Sequence, residues 1–299
     1  MIPRPAVWSP TGGDVTLGPI AERLDPALPA EGYRLEVDEF GADIVAGSPA
    51  GAFYARQTLR QLLPPAALRA SATSGHKIPR VRVEDAPRFA WRGVMLDVAR
   101  HFLPIADVLR FIDLIAFHKL NVLHLHLTDD QGWRLDVPGW PRLTTVGAWR
   151  PRTMQGSRQH ELYDARPHGG FYTGDDLREI VAYAKARFVT VVPEVDMPGH
   201  MQAAIAAYPE LGNGFAGGVR TGWGVSNHVL NLNEDTLAFC RQVLDHVCDL
   251  FDSELIGIGG DECPRDEWDG ADRQPAFTAQ MADHLRTRCL LYTSDAADE

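Results

Sequence analysis

The chain has 299 residues, 45% of them hydrophobic and 23% charged, with a formal net charge of −11. That acidity excludes a general polyanion binder, which needs a basic face, and the apolar content excludes a disordered chain. No run approaches the roughly 20 apolar residues of a membrane span, so one large or two smaller folded domains are expected. The opening stretch MIPRPAVWSPTGGD has no apolar signal-peptide core, which points to the cytoplasm and leaves secretion open. Cys240, Cys248, Cys263 and Cys289 form neither a C-x-x-C pair nor a zinc spacing, and they read as reduced, mostly buried thiols.

In chain order, residues 33–46 alternate apolar and polar at period two, so they predict two half-buried strands turning near Gly41. GAFYARQTLRQLL (51–63) places Phe53, Ala55, Leu59 and Leu62 or Leu63 on one face of an amphipathic helix, which Pro64-Pro65 stops. Residues 66–80 read as a linker or exposed loop. Together, 1–85 predict a small α+β domain.

From residue 86 to 288 the texture changes to strands alternating with helices. Strands are expected at 92–98, 121–129, 188–197 and 254–262. Helices are expected at 105–120, at 173–188 with Thr173 as N-cap, after Asn233, and at 275–290. The helix after Asn233 should bury the stripe Leu237, Cys240, Val243 or Leu244, Val247 and Phe251. Such alternation implies a parallel α/β sheet, doubly wound or a (β/α) barrel. No glycine-rich nucleotide loop follows the first strand. Each strand instead ends in polar residues: Asp97 with Arg100-His101, Thr128-Asp129-Asp130, Glu194 and Asp196 with His200, and Asp261-Glu262. Chemistry at the C-terminal ends of the strands is the signature of a barrel.

Asp261 and Glu262 follow the nearly side-chain-free IGIGG, where glycines let a ligand or neighbouring strand approach. They read as a catalytic acidic pair or as a helix N-terminal pair. Adjacent Cα atoms are about 3.8 Å apart, whereas an ordinary retaining glycosidase brackets the sugar with carboxylates about 5–5.5 Å apart. In a glycosidase, therefore, the nucleophile would come from elsewhere, the substrate included. His124 and His126 share a strand face and read as core histidines, sugar-facing histidines or metal ligands. His200, beyond the Pro198-Gly199 turn, can face the same mouth as Glu194 and Asp196. Arg100 can donate a planar fork to vicinal hydroxyls or pair with a carboxylate.

WRGVMLDVARHF, NVLHLHLTDDQGWR, GGFYTGDDLREIVAYA, VVPEVDMPGH and IGIGGDE, in this order, resemble glycoside hydrolase family 20, the β-N-acetylhexosaminidases. GAFYARQTLRQLL resembles the end of that family's small α+β domain. The resemblance implies a (β/α)8 TIM barrel after a small α+β domain, and exo-acting removal of terminal β-linked GlcNAc or GalNAc from oligosaccharides or glycoconjugates. It implies retaining, substrate-assisted hydrolysis through an oxazolinium intermediate. In this sequence Glu262 would be the general acid/base and Asp261 the residue orienting the acetamido group. Arg100 would bind sugar hydroxyls, Asp129 and His200 would form a relay to the acid, and Asp196 would be a further active-site acid. The resemblance implies no metal, cofactor, nucleic-acid or membrane partner.

The family's barrel has eight strands, and the pattern here supplies about four. The expectation is therefore the first half of a barrel, inactive alone, with 289–299 (ending LLYTSDAADE) as a foreign tail. Trp268 lies too close to the acidic pair to stand for the tryptophans that wall the family's acetamido pocket. Two rivals remain at this stage: a metal-dependent barrel hydrolase using His124, His126 and Asp261, and a non-catalytic sugar-binding module.

Overall fold

The computed structural model describes residues 1–69, 75–288 and 291–293. The chain divides into two compact units, Met1–Arg92 with Ile112–Asn121 and Ala186–Val189, and the remainder from Gly93 onward.

The first unit holds a five-stranded sheet of β1 (Val7–Thr16), β2 (Ile20–Leu24), β3 (Tyr33–Val37), β4 (Ala42–Ala46) and β5 (Lys77–Asp85), in the order β1-β5-β3-β4-β2. All pairs are antiparallel except β2 with β4. The expected turn lies between β3 and β4. Gly41 takes φ +148° there, and a Cβ would run into the Pro19 carbonyl. Helix α1 (Pro49–Leu62) starts on Ser48, whose hydroxyl accepts from Ala50 N at 3.1 Å. Its Ala52, Ala55 and Leu59 pack into a core with Leu35, Ile44 and Val83. Phe53, Leu62 and Leu63, partly buried, pack against the same core, as the spacing predicts, and Ala52 and Tyr54 are buried there as well. The stretch expected as a loop to residue 80 is also corrected: 77–80 begin β5, and 70–74 lie outside the described residues.

The second unit is built on parallel strands β6 (Gly93–Asp97), β7 (Val122–Asp129), β8 (Thr190–Val195), β9 (Leu255–Gly257) and β10 (Leu291–Thr293). Each strand neighbours the next in sequence. A doubly wound sheet reverses direction at a switch point; this one advances steadily, as a (β/α) barrel does. Between the strands come α2 (Ile105–Phe117), α3 (Gly174–Lys185), the short α4 (Gln202–Ala207), α5 (Glu234–Leu250) and α6 (Gln274–Thr287).

Thr173 caps α3: its hydroxyl accepts from Asp176 N at 3.2 Å, and the Asp176 carboxylate accepts from Thr173 N at 2.8 Å. Asn233 caps α5 in the same manner, accepting from Thr236 N at 2.9 Å. The stripe expected on α5 is buried from Leu237 to Phe251. One element was not expected, and one expectation fails. Helix α4 escaped notice because all six of its residues are buried, so no polar face marks a period. The last predicted strand stops at Gly257, because Gly259 (φ +59°) and Gly260 (φ +104°) leave extended geometry. Of the segment expected as a foreign tail, 289, 290 and 294–299 lie outside the described residues, while Leu291–Thr293 pair with β9. Cys240 is buried and Cys248 and Cys263 are partly buried; Cys289 lies outside the described residues. Among the described residues no helix is long and apolar enough to cross a membrane.

Candidate active site

Four successive strand ends converge on one cleft of about 530 Å³, lined by Arg100, His101, Gln131, His200, Trp223 and Glu262 among others. At the end of β6, Asp97 accepts from the backbone N–H groups of Ala99 (3.0 Å) and Arg100 (2.9 Å), bending the chain. That bend aims Arg100, whose guanidinium lies 3.2 Å from Asp97 Oδ2 and 2.7 Å from Asp129 Oδ2.

Strand β7 supplies His126 and Asp129 at its end, both buried. His126 Nδ1 meets Glu194 Oε2 at 2.7 Å and its Nε2 meets Asp129 Oδ2 at 2.9 Å. Burial alone would lower the His126 pKa, but these two carboxylates outweigh it and push it up to about 10. The raised pKa favours the charged imidazole between the two carboxylates, and Arg100 Nη1 also lies 3.1 Å from its Nε2. Burial would raise the pKa of Glu194, yet His124 and His126 hold it down at about 2. His124 Nε2 lies 2.7 Å from the same Glu194 oxygen.

Strand β8 ends in Glu194 and Val195, followed by Asp196, whose N–H donates to Thr128 Oγ1 at 3.1 Å. Asp196 is 2% exposed, and burial raises its pKa to about 8, so it is largely protonated at neutral pH. Its Oδ1 accepts from Gly260 N at 3.2 Å. Gly259 makes that approach possible, since a Cβ there would collide with the Asp196 carboxylate.

His200 takes a left-handed φ of 52°, as does Glu262 at 48°. Non-glycine residues held there are strained, and such strain gathers at functional sites. His200 Nδ1 faces Asp129 Oδ1 at 3.3 Å and Asp130 Oδ2 at 3.5 Å; its Nε2 lies 3.6 Å from Glu262 Oε2. Burial pulls its pKa down, but the facing carboxylates of Asp129 and Asp130 raise it to about 11. The Glu262 side chain is 58% exposed, at the cleft mouth. A continuous polar line thus runs from Glu262 through His200 and Asp129 to Arg100 and His126.

All six residues singled out in the sequence, Arg100, Asp129, Asp196, His200, Asp261 and Glu262, stand at these strand ends. Arg100, His200 and Glu262 line the cleft, whereas Asp129 and Asp196 lie beneath its floor and reach a ligand only through the residues above. The metal trio His124, His126 and Asp261 is not assembled. Among the described residues, the His/carboxylate groups with ligand atoms within 4.8 Å are His126–Asp129–Asp196, Asp129–Asp130–His200 and Asp196–His200–Asp261. The first of these already holds the Arg100 guanidinium, 2.7 Å from Asp129. Sequence reading missed Gln131 and Trp223. The only available signal for Trp223 was a tryptophan set between glycines in TGWG.

Carboxylates, imidazoles and an arginine gathered at the C-terminal ends of parallel barrel strands define a site of glycoside-hydrolase type. Residues 89–292 match the family described as glycosyl hydrolase family 20, catalytic domain, and residues 2–86 match its domain 2. The chain belongs to glycosyl hydrolase family 20. It is 42% identical over 271 residues to a beta-hexosaminidase of Porphyromonas gingivalis, covering 87% of this chain and 32% of that one. It is 39% identical to a beta-hexosaminidase of Akkermansia muciniphila, covering 94% of this chain and 56% of the other. A mutant Streptomyces plicatus beta-hexosaminidase in complex with the product GlcNAc superposes with TM-score 0.84 at 33% identity, covering 98% of this chain and 64% of that one. The chain thus spans about a third to just under two thirds of the length of these relatives.

Proposed function

We propose that the protein carrying this chain is an exo-acting β-N-acetylhexosaminidase that removes terminal β-linked GlcNAc or GalNAc with retention of configuration. The observation that carries this reading is the adjacent Asp261-Glu262 pair, with Glu262 3.6 Å from the buried His200 ring. Glu262 is the one of the pair that lines the cleft, so it is the acid that protonates the leaving glycosidic oxygen. The other cleft-lining carboxylate among the described residues, Asp97, is occupied by Arg100 and two backbone N–H groups. Among the described residues, no cleft-lining carboxylate besides Glu262 is thus free to attack from the far side of the sugar. The substrate's own 2-acetamido oxygen attacks the anomeric carbon instead, forming an oxazolinium; family 20 is among the exceptions to the two-carboxylate scheme.

Asp261 orients the acetamido group and balances the charge that develops on it. Water then opens the oxazolinium, with Glu262 taking its proton. Arg100, locked by Asp97 and Asp129, presents its remaining N–H groups to sugar hydroxyls. The product's anomeric form, read by proton NMR within the first turnovers, tests this: β-GlcNAc first is expected, and α-GlcNAc first would overturn it. Glu262→Gln should lower kcat on a poor leaving group by roughly 10²–10⁴-fold.

A further inference from the structure

Arg134 has no part in the mechanism above, and its side chain is completely buried. Among the described residues no carboxylate pairs with it. Its guanidinium donates instead to four backbone carbonyls, those of Val98 (2.9 Å), Ala99 (2.6 Å), Ala148 (2.6 Å) and Gly170 (3.0 Å). Burial and the neighbouring Arg150 lower its pKa to about 10, which leaves it charged at neutral pH. A buried charge without a counter-charge is costly, and an apolar side chain would fill the same space at less cost. What this charge secures is visible in the bend after β6.

The carbonyls of Val98 and Ala99 belong to the two peptide units that lead into Arg100. The N–H groups of the same two units, those of Ala99 and Arg100, donate to Asp97 Oδ1 at 3.0 Å and 2.9 Å. Each rigid peptide plane is therefore held at both ends, its N–H by a carboxylate and its C=O by a guanidinium. The charges match the peptide dipole at each end, so the two grips reinforce one another. With both planes fixed, Arg100 starts from a set position, and its guanidinium reaches Asp129 Oδ2 at 2.7 Å. The far side of the bend is tied as well, since Phe102 N donates to His168 Nε2 at 3.0 Å. His168 accepts because burial and Arg150 lower its pKa to about 4 and keep it neutral. Gly132 makes room for the arrangement: a Cβ there would run into the Arg134 guanidinium.

We infer that Arg134 is a positioning residue for sugar binding: with Asp97 it grips the two peptide units before Arg100 and sets where that side chain meets the substrate. This rests on the proposed role of Arg100 in holding sugar hydroxyls. Arg134 is buried away from the cleft, so its effect on the reaction passes through Arg100. Lysine cannot replace it, because an ammonium offers no planar fork to two neighbouring carbonyls.

The test uses the gene product carrying this chain, with nitrophenyl β-N-acetylglucosaminide as substrate. Arg134→Lys should lower kcat/KM by roughly 10–10²-fold, as loss of a charge-assisted hydrogen bond to a ligand does. Most of the change should appear in KM, because Arg100 grips hydroxyls that do not react. In an Arg100→Gln background the same substitution should change kcat/KM by less than about twofold. Equal losses in both backgrounds, or none in either, overturn the assignment, since a purely structural role would act whatever stands at position 100. Gly132→Ala, which crowds the guanidinium without removing it, should repeat the pattern and serves if Arg134→Lys does not fold. A crystal structure of the folded variant separates the inference from the hydrolysis: Arg100 should leave hydrogen-bond reach of Asp129. An Arg100 that stays 2.7 Å from Asp129 Oδ2 overturns the inference even if hydrolysis is confirmed. A displaced Arg100 upholds it even if the ligand proves different.

Discussion

His200 sits between two carboxylates of opposite duty, Asp129 below and Glu262 above, at 3.3 Å and 3.6 Å. Because its pKa is lifted to about 11, the charged form is favoured, and His200 faces Glu262 as a nearby cation rather than as a base. His126, lifted to about 10, does the same for Glu194 and Asp129. Folded pKa values above the ordinary 6.5 give stability that is complete below pH 6.5 and is lost as pH rises through 10 to 11. Asp196, raised from 3.8 to about 8, has the same sign, its share being complete below pH 3.8 and lost on the way to pH 8. Glu194 works the other way, its contribution being lost only as pH falls toward 2. The urea midpoint should therefore fall steadily from pH 6 to pH 10. Asp196→Asn should flatten the decline between pH 4 and pH 8. A midpoint that rises from pH 6 to pH 10 contradicts these assignments.

At the scale of the element, the last strand end does the most with the least side chain. Strand β9 spans only Leu255–Gly257, and Gly259 then turns left-handed against Asp196. Gly259→Ala should push Asp196 and the following acidic pair apart. A displacement of about 1 Å can cost 10²-fold in rate, so a loss of that order is expected with circular dichroism unchanged. Wild-type activity in that variant would show that the close approach is not needed.

The elements easiest to read from sequence were those with one wet and one dry face, such as α5 with its Asn233 cap and buried stripe. Strands β1 and β2 were hidden for the opposite reason. β2 is exposed along its whole length, and β1 carries Pro10 and a Gly12-Gly13 pair, absorbed by a register shift between Pro10 and Asp14. The acidic pair and its histidine were legible because glycine and proline punctuate both turns. Trp223 was not, because bonds to Asp130 and Gln131, about 90 residues earlier, place it.

For the whole molecule, the decisive feature is the direction of the sheet. Strands β6 to β10 advance one by one around a barrel path, and among the described residues nothing pairs with the outer edge of β6 or of β10. Open strand edges invite foreign pairing, and barrel closure fixes strand tilt and therefore the cleft walls. The 299-residue chain by itself should release no detectable nitrophenol from its β-GlcNAc glycoside, and measurable turnover would show that these strands suffice. The central claim concerns the nucleophile, and it is tested on the gene product carrying this chain. A series of β-glycosides bearing acetamido, fluoroacetamido, difluoroacetamido and trifluoroacetamido groups at C2 grades the nucleophilicity of the amide oxygen while changing the shape little. If that oxygen attacks, kcat/KM should fall steeply with each fluorine, by orders of magnitude across the series; a flat response would mean that a protein carboxylate attacks instead.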